Sequence, residues 1–518
     1  MLLLLLGVVL RWIVVPEPTS ALAALERLER WRIGLEVGGA LFLPVGLTVA
    51  VIARILRRHF AALAFLALCV VASLAVGVSL QQRRARWIKM PHILLLTLDG
   101  FNADRMALYG AARAPTPFLD TLGKRSLVGR NFFPQACCTA SGTLALLTGR
   151  PPLELGVLYP PHQLRELDQY RSLITLLAAR GYRTVQLTEP HYSDANELRL
   201  RGFDRVNGQQ RGKLWFDDLP GWTRGHAWAL IELERRLFGR AIDPLPLGVV
   251  ASGPEKAKDK LDELLLELDS STQPLFAHLH FLESHGPQFQ IAAPLFSRGI
   301  APQQDWMSDY YDDALRELDD KIAAFFAELE RKGLMNSVMV VVTSDHGSRW
   351  SVVDRIPLLL AAPGLRPRSV LQNAQPIDVA PTLLSLLGLR SPQWMMGRSL
   401  VGPRSPDPWR TILSVQIFGH SLNWLTERWQ IEEGTLNRGA HVVNVIVCDR
   451  HFAFNLYSGE LTEKRLPGMF AACVPQAIPT AAALLRTLVP YLQQFGYTPD
   501  SRPFVGITVA EADKLKAK

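Results

Sequence analysis

The chain opens on dense apolar positions and then changes texture. Apolar stretches cover residues 2–15, which carry Arg11, then 33–52 and 60–80. The last two are each about the length a helix needs to span a bilayer, so two to three transmembrane helices are predicted over residues 1–90. From residue 92 the pattern becomes short apolar runs: HILLLTLD (92–99), RTVQLT (183–188), LFAHLHFL (275–282), SVMVVVTSD (337–345) and PLLLAAPG (357–364). Each is rich in Val, Ile, Leu or Phe and bounded by polar or turn residues, the pattern of strands buried on both faces. Between them, TPFLDTLGKRS (116–126), SLITLLAARG (172–181) and DDALRELDDKIAAFFAELERKG (312–333) carry apolar residues at helical spacing. Buried strands alternating with helices predict an α/β fold with a mainly parallel sheet, and such folds bind ligands at the carboxyl ends of their strands.

Charge sharpens the N-terminal half of this picture. The 56 Lys and Arg exceed the 48 Asp and Glu by eight, and much of the excess flanks the apolar runs, at Arg54, Arg57, Arg58, Arg83, Arg84, Arg86 and Lys89. Such residues meet lipid head groups. The tight basic link at 54–58 belongs on the cytoplasmic side, which sends the globular part outward; the cluster at 83–89 argues for the opposite orientation. The expectation is an integral protein of a bacterial plasma membrane with its globular part on the extracytoplasmic side. The first run lacks a basic start and two longer runs follow, so it does not read as a cleaved signal. No basic stripe with interleaved aromatics occurs in the globular part, which excludes nucleic acid as the expected partner. Five cysteines do not make a disulfide scaffold; Cys448 and Cys473 could pair outside the cytoplasm. The amphipathic segment 222–240 reads as a surface helix, with the membrane interface as the alternative.

Four places carry candidate chemistry. Asp99 ends the first strand and precedes Gly100. Asp345 and His346 sit together after VVVTS, and a carboxylate beside an imidazole suits Zn²⁺ or Mn²⁺ better than Ca²⁺ or Mg²⁺. In CCTASGTLALLTGR (137–150) a helix is predicted to start just after Thr139, with Ala140, Ser141 and Gly142 in its first turn. Free N–H groups there would hold an anion, and a hydroxyl bound to a metal becomes a nucleophile; a simple capping Thr is the alternative. In HLHFLESHGP (278–287), His285 follows the strand end and reads as a donor to a leaving group. His278 and His280 lie within the strand and read as core residues or as support behind the site.

These motifs in this order resemble the sulfatase and alkaline-phosphatase superfamily: LLLTLDGFNAD (94–104), TPFLDTLGK, TASGTLALLTGR, HFLESHGP, VVTSDHG, RIPLLLAAPG (355–364), IDVAPTLLSLLGL (377–389) and GRSL (397–400), with FNLYSGELTEKRLPG (454–468) similar to the closing strand. The resemblance implies an alkaline-phosphatase-like α/β/α sandwich over 91–400, with 401–518 completing the catalytic unit. It implies one divalent metal held by Asp99, Asp345, His346 and Thr139, with Thr139 and His285 catalytic and Ser141, His285 and His191 on the substrate. Sulfatases carry Cys-x-Pro-Ser-Arg, whose Cys becomes formylglycine; here Cys138-Thr139-Ala140-Ser141-Gly142 has no Pro and no Arg, and counting back from Leu-Leu-Thr-Gly-Arg puts the nucleophile on Thr139. The second acid of sulfatases is Gly100, and their Gly-Lys-Trp-His is Thr188-Glu189-Pro190-His191. The set looks more like membrane-bound phosphoethanolamine transferases and lipoteichoic-acid synthases. The expected activity is therefore cleavage or transfer of a phosphate ester, with a membrane lipid as a candidate partner. A sulfatase is the first alternative and a non-catalytic, membrane-tethered binding protein the second. Only SRWSVVD (348–354) separates Gly347 from RIPLLL, which implies a single metal and an open cleft.

Overall fold

The computed structural model describes residues 90–498 apart from 161, 189–191, 208, 211–256, 287–288, 304–305, 403–409, 418–419, 424–427, 432–438 and 470–477. The transmembrane helices expected over residues 1–90, the segment 222–240, His191 and Cys473 lie outside these residues. Residues 90–211 and 248–518 make up one compact unit. Among the described residues no helix is long and apolar enough to cross a membrane.

Every strand expected from an apolar run forms. Among the described residues the main sheet contains β1 (His92–Leu98), β2 (Leu127–Phe132), β3 (Arg183–Leu187), β4 (Arg205–Val206), β5 (Gln209–Gln210), β6 (Leu275–Phe281), β7 (Val338–Thr343), β8 (Leu358–Ala361) and β9 (Arg368–Ala374). Their order is β5-β4-β3-β6-β1-β7-β8-β2-β9. β4, β3, β6, β1 and β7 run parallel, and β8 is antiparallel to both β7 and β2. The centre of the sheet, β6-β1-β7, is therefore three parallel strands ending on the same side.

Helices cover both faces. Among the described residues the α-helices are α1 (Pro117–Lys124), α2 (Thr139–Thr148), α3 (Pro152–Leu155), α4 (Leu173–Ala178), α5 (Ala257–Ser270), α6 (Ser308–Arg331), α7 (Val379–Leu386) and α8 (Ala481–Gln494). Strand parity divides the core. Ile93 and Leu95 of β1 pack with Leu144 and Leu147 of α2, Leu173 and Leu177 of α4, and Leu383 of α7. Leu94, Leu96 and Leu98 pack with Leu261 and Leu264 of α5 and with Leu315, Leu318 and Ile322 of α6. This is the expected α/β/α sandwich, and each such fully buried aliphatic side chain stabilises it by about 1.5–3 kcal/mol.

The C-terminal part adds a four-stranded antiparallel sheet, ordered β10 (Ile412–Ile417), β13 (Ala440–Val447), β14 (Arg450–Asn455), β15 (Leu461–Arg465). A two-stranded ribbon pairs β11 (His420–Asn423) with β12 (Arg428–Ile431). Leu484, Leu488 and Leu492 of α8 pack on Val443, Val445, Phe452 and Phe454 of the four-stranded sheet. The β10 edge also braces the lead-in to α2: the Cys137 N–H donates to the Val415 carbonyl at 3.2 Å, and the Val415 N–H to the Gln135 carbonyl at 2.9 Å. Cys448 is disulfide-bonded; Cys137 and Cys138 are free thiols.

Candidate metal centre

Parallel register places the site. Thr97 of β1 lies opposite His280 on β6 and opposite Thr343 on β7. The residues that follow these strands, Asp99 after β1 and Asp345 and His346 after β7, meet beside His280. The loop after β1 is pinned on several sides. The Asp99 N–H donates to the Phe281 carbonyl at 2.9 Å, and the Ser284 hydroxyl donates to the Asp99 carbonyl at 2.7 Å. The Tyr311 hydroxyl donates to the Gly100 carbonyl at 2.8 Å and accepts from the Asn102 N–H at 3.0 Å. Gly100 has φ +64°, a left-handed conformation that glycine adopts at no steric cost. Ser344 ties the ends of β1 and β7 together: its Oγ accepts from the Phe101 N–H at 3.0 Å and lies 2.6 Å from the Leu98 carbonyl oxygen.

The side chains converge. His280 Nε2 lies 3.3 Å from Asp345 Oδ2 and 3.7 Å from Asp99 Oδ2. His346 Nε2 lies 3.2 Å from Asp99 Oδ1 and 3.7 Å from Asp345 Oδ2. His346 Nδ1 donates to the Gly347 carbonyl at 2.9 Å, which fixes the tautomer and leaves Nε2 free for a cation. Ligand atoms of Asp99, His280 and Asp345, and likewise of Asp99, His285 and His346, lie within 4.8 Å of one another. Asp99 Oδ1, His280 Nδ1 and His346 Nε2 are buried without a hydrogen-bond partner. Buried charges left in that state are costly unless a cation meets them, so the residues present fit a divalent metal.

Thr139 is the first residue of α2, and Cys138 occupies the cap position without a side-chain cap bond. The Thr139 hydroxyl does not cap the helix; it points at the acids, with Oγ1 3.3 Å from Asp99 Oδ2. The Ser141 hydroxyl donates to the Cys138 carbonyl at 2.9 Å and is fully buried. Cys138 is buried with its sulfur 2.7 Å from that of Cys137. Burial and the neighbouring Cys137 push the Cys138 thiol well above the usual range. His285 is half-buried, its ring centroid 6.3 Å from that of His346.

His280 is the residue the linear reading undervalued. It belongs to the cluster itself, whereas His278, one turn of the pleat back, is a satisfied core residue. Thr97 Oγ1 donates to the Leu279 carbonyl at 3.0 Å and accepts from His278 Nε2 at 3.1 Å, and His278 Nδ1 accepts from Gln186 at 3.1 Å. Burial drops its pKa to about 3. The signal for His280 was its even spacing from His278, which places both on one strand face; only register shows that this face is the one beneath α2.

Without a metal, the acids and imidazoles of the cluster perturb one another strongly. Burial pushes the Asp345 carboxyl up, but the charge of His346 and the hydrogen bond from His280 outweigh it and hold the group well below the usual carboxylate range. Burial pushes His346 down, but Asp345 and Asp99 outweigh it and raise the imidazole from 6.5 to about 10. A proton on His346 thus occupies the place a cation would take, and loading must expel it. We expect metal uptake at neutral pH to release about one proton and metal affinity to rise with pH up to about 10. The linkage sign follows: in metal-free protein this histidine's stabilisation is complete below pH 6.5 and is lost as pH rises through about 10. Calorimetry in buffers of different ionisation enthalpy reads the proton directly; uptake without proton release would refute the pairing.

An α/β/α sandwich with an acid–histidine cluster at the ends of three parallel strands defines the class. The Sulfatase family model matches residues 91–389, more than half of the 518 residues, and the chain belongs to the sulfatase family of the alkaline-phosphatase superfamily. Among curated relatives, arylsulfatase A of Homo sapiens is 25% identical over 342 residues, 58% of this chain and 65% of its own length. Lipoteichoic acid synthase 1 of Bacillus subtilis is 26% identical over 212 residues, 37% of this chain and 33% of its own. The chain thus spans less than two thirds of these relatives. The solved phosphonate monoester hydrolase of Silicibacter pomeroyi shares the fold, with a TM-score of 0.52 and 19% identity over 81% of this chain and 98% of that one.

Proposed function

We propose that this protein hydrolyses a singly charged ester at one divalent metal, with a sulfuric monoester as the substrate class. The observation that carries ester cleavage is the Thr139 hydroxyl at the start of α2, 3.3 Å from Asp99 within reach of the acid–histidine cluster; the charge of the site and kinship choose the ester. Two carboxylates facing one dication and neutral imidazoles leave no net positive charge. Among the described residues the strongest charges on Asp345 come from His346 and His280, and those on His346 from Asp345 and Asp99, with no lysine or arginine among them. Such a site suits a monoanion better than a phosphoric monoester, whose second charge it does not balance. Kinship points the same way, since relatives include arylsulfatase A, an ulvan-active sulfatase and N-acetylgalactosamine-6-sulfatase. Together these reverse the order expected from sequence, where phosphate stood ahead of sulfate.

Asp99, Asp345, His346, His280 and Thr139 would hold the metal, and imidazole donors favour Zn²⁺ or Mn²⁺ over Ca²⁺ or Mg²⁺. A divalent cation there lowers the pKa of a hydroxyl it binds and offsets charge developing on the ester oxygens. The Thr139 hydroxyl gives up its proton to solvent, its oxygen attacks the ester's central atom, the bond to the leaving alcohol breaks, and a protonated His285 gives the departing oxygen its proton. Water then releases the acid from Thr139. The N–H groups of the first turn of α2 complete the anion seat; the Ser141 hydroxyl, expected from sequence on the substrate, is instead buried and spent on the Cys138 carbonyl, and His191 lies outside the described residues. Anchoring through residues 1–90, an extracytoplasmic site and a membrane-lipid substrate belong to the same proposal and rest on the two bilayer-length apolar runs.

A second reading, cleavage or transfer of a phosphoric diester, is favoured by the hydroxyl that stands where a formylglycine is expected and by the likeness to lipoteichoic acid synthase 1. A diester is also a monoanion. One experiment separates the readings: metal-loaded protein is quenched in acid after mixing with 4-nitrophenyl sulfate or with bis(4-nitrophenyl) phosphate, and the 137–150 peptide is weighed. A sulfo group on Thr139 supports the lead and a phospho group the second. Formylglycine at Cys138, or full activity in Thr139→Ala, would remove Thr139 from the mechanism.

A further inference from the structure

The short link after Gly347 is built as a rigid turn. The Gly347 N–H donates to the Ser351 carbonyl at 2.9 Å, and the Ser351 N–H to the Ser348 carbonyl at 3.2 Å. The side chain of Asn102, in the loop after β1, holds the same turn twice: Oδ1 accepts from the Ser348 N–H at 2.8 Å and Nδ2 donates to the Ser348 hydroxyl at 2.9 Å. Inside the turn, Arg349 and Trp350 adopt φ +56° and +58°. Two consecutive side-chain-bearing residues in the left-handed region are unfavourable, and such conformations persist only where surrounding structure enforces them. The result is a large apolar ring held out of the core: Trp350 is 48% exposed. Its ring stands edge-on to His285 with centroids 5.7 Å apart, and His285 in turn faces His346. Val352 turns the other way and packs with Cys137, Cys138 and the partly buried Tyr159.

We infer that Trp350 is the specificity wall of the site and selects esters whose organic group is a six-membered ring, aromatic or pyranose, with a face that can stack on the indole. The inference rests on the proposed ester site for the seat of the anion and adds what lies beside it. A ring attached to the ester oxygen projects past His285, the proposed proton donor, and meets Trp350 there. An indole surface exposed at a fixed angle gains from stacking on an aryl face or on the C–H face of a pyranose, and gains nothing from a short alkyl group. The strained turn is the device that keeps the indole from folding back into the core.

The test uses sulfonates, which carry the same anionic head but have no ester bond to break. Metal-loaded full-length protein is titrated calorimetrically with 4-toluenesulfonate (aryl), 6-deoxy-6-sulfoglucose (pyranose) and methanesulfonate (no ring). At least one ring sulfonate should bind about tenfold more tightly than methanesulfonate. Trp350→Ala should abolish that preference while leaving methanesulfonate binding unchanged, and Trp350→Phe should restore most of it. Preference for the aryl probe alone, the sugar alone or both identifies the ring. An equal affinity for all three probes in the unaltered protein, or a ring preference that survives Trp350→Ala, would overturn the inference. Turnover of ethyl sulfate and of a small phosphodiester is measured alongside. Ring preference without any turnover would sink the hydrolase reading and leave the wall standing, whereas turnover without ring preference would do the reverse.

Discussion

Asp345→Asn is expected to lower turnover by about a thousandfold or more, with loss of bound metal from the purified protein. The substitution is nearly isosteric. The asparagine oxygen can still accept the His346 N–H, as Asp345 Oδ1 does at 3.0 Å, so the backbone after β7 has no reason to move. What changes is charge. Asp345 is fully buried among His280, His346 and Asp99, and one carboxylate in place of two cannot offset a dication and the desolvation of its ligands. The loss therefore exceeds the ten- to a hundredfold typical of supporting residues behind a metal site. His346 gives a second readout. Asp345 is the largest charge raising its pKa, so the metal-free variant should titrate this imidazole well below the value of about 10 it has in the parent. Metal analysis, kinetics and an NMR titration of the histidine settle the matter together. A variant that keeps stoichiometric metal and most of its turnover would end the metal-centred reading.

The acids were legible because each stands where a continuous apolar run stops. HILLLTLD and VVVTSDH both end in a residue that a buried strand would not carry without purpose, and parallel sheets put such ends on one side. Those runs became β1 and β7, and the sheet made them neighbours. Thr139 was legible from the small residues that follow it, though the helix starts one residue earlier than expected and Cys138, not Thr139, takes the cap position. His280 was not legible as a member of the cluster. Its strand is apolar on both faces, so the hydrophobic pattern could not say whether the His278–His280 face looked toward α2 or toward α5 and α6. The pairing Thr97↔His280 decides it, and register is a property of the assembled sheet. Nor could the sequence show that Tyr311, more than two hundred residues away, clamps the loop after Asp99, because that contact exists only once α6 lies on the sheet. On sequence alone the short link at 348–354 is a loss that opens the cleft. The structure shows a pinned turn that presents Trp350, a reminder that loop length says little about what a loop displays.

Gly142→Ala should cut turnover about a hundredfold without unfolding the protein. In an ordinary helix this change stabilises by about 1 kcal/mol, and nothing in the backbone of α2 at this position forbids it. The obstacle is across the site. A β-carbon on Gly142 would fall 2.5 Å from the Asp345 carbonyl oxygen, 2.9 Å from its carbonyl carbon and 3.0 Å from its β-carbon. The first two of these are backbone, locked at the end of β7, so no side chain can swing away. The helix or the strand end must give. Either movement opens the distance between Thr139 on α2 and the acids after β1 and β7. Misplacement of reacting groups by about 1 Å is worth about a hundredfold in rate, whereas overpacking costs about 1–3 kcal/mol of stability, partly offset by the helix gain. Activity should therefore fall much further than the melting temperature. Gly402 is the control, since a β-carbon there meets nothing within 4 Å and Gly402→Ala should leave both unchanged. If Gly142→Ala retained the parent's kcat, the close approach of α2 to Asp345 would not be what places the Thr139 hydroxyl, and the site's geometry would have to be set by the β10 edge that braces residues 135–137 instead.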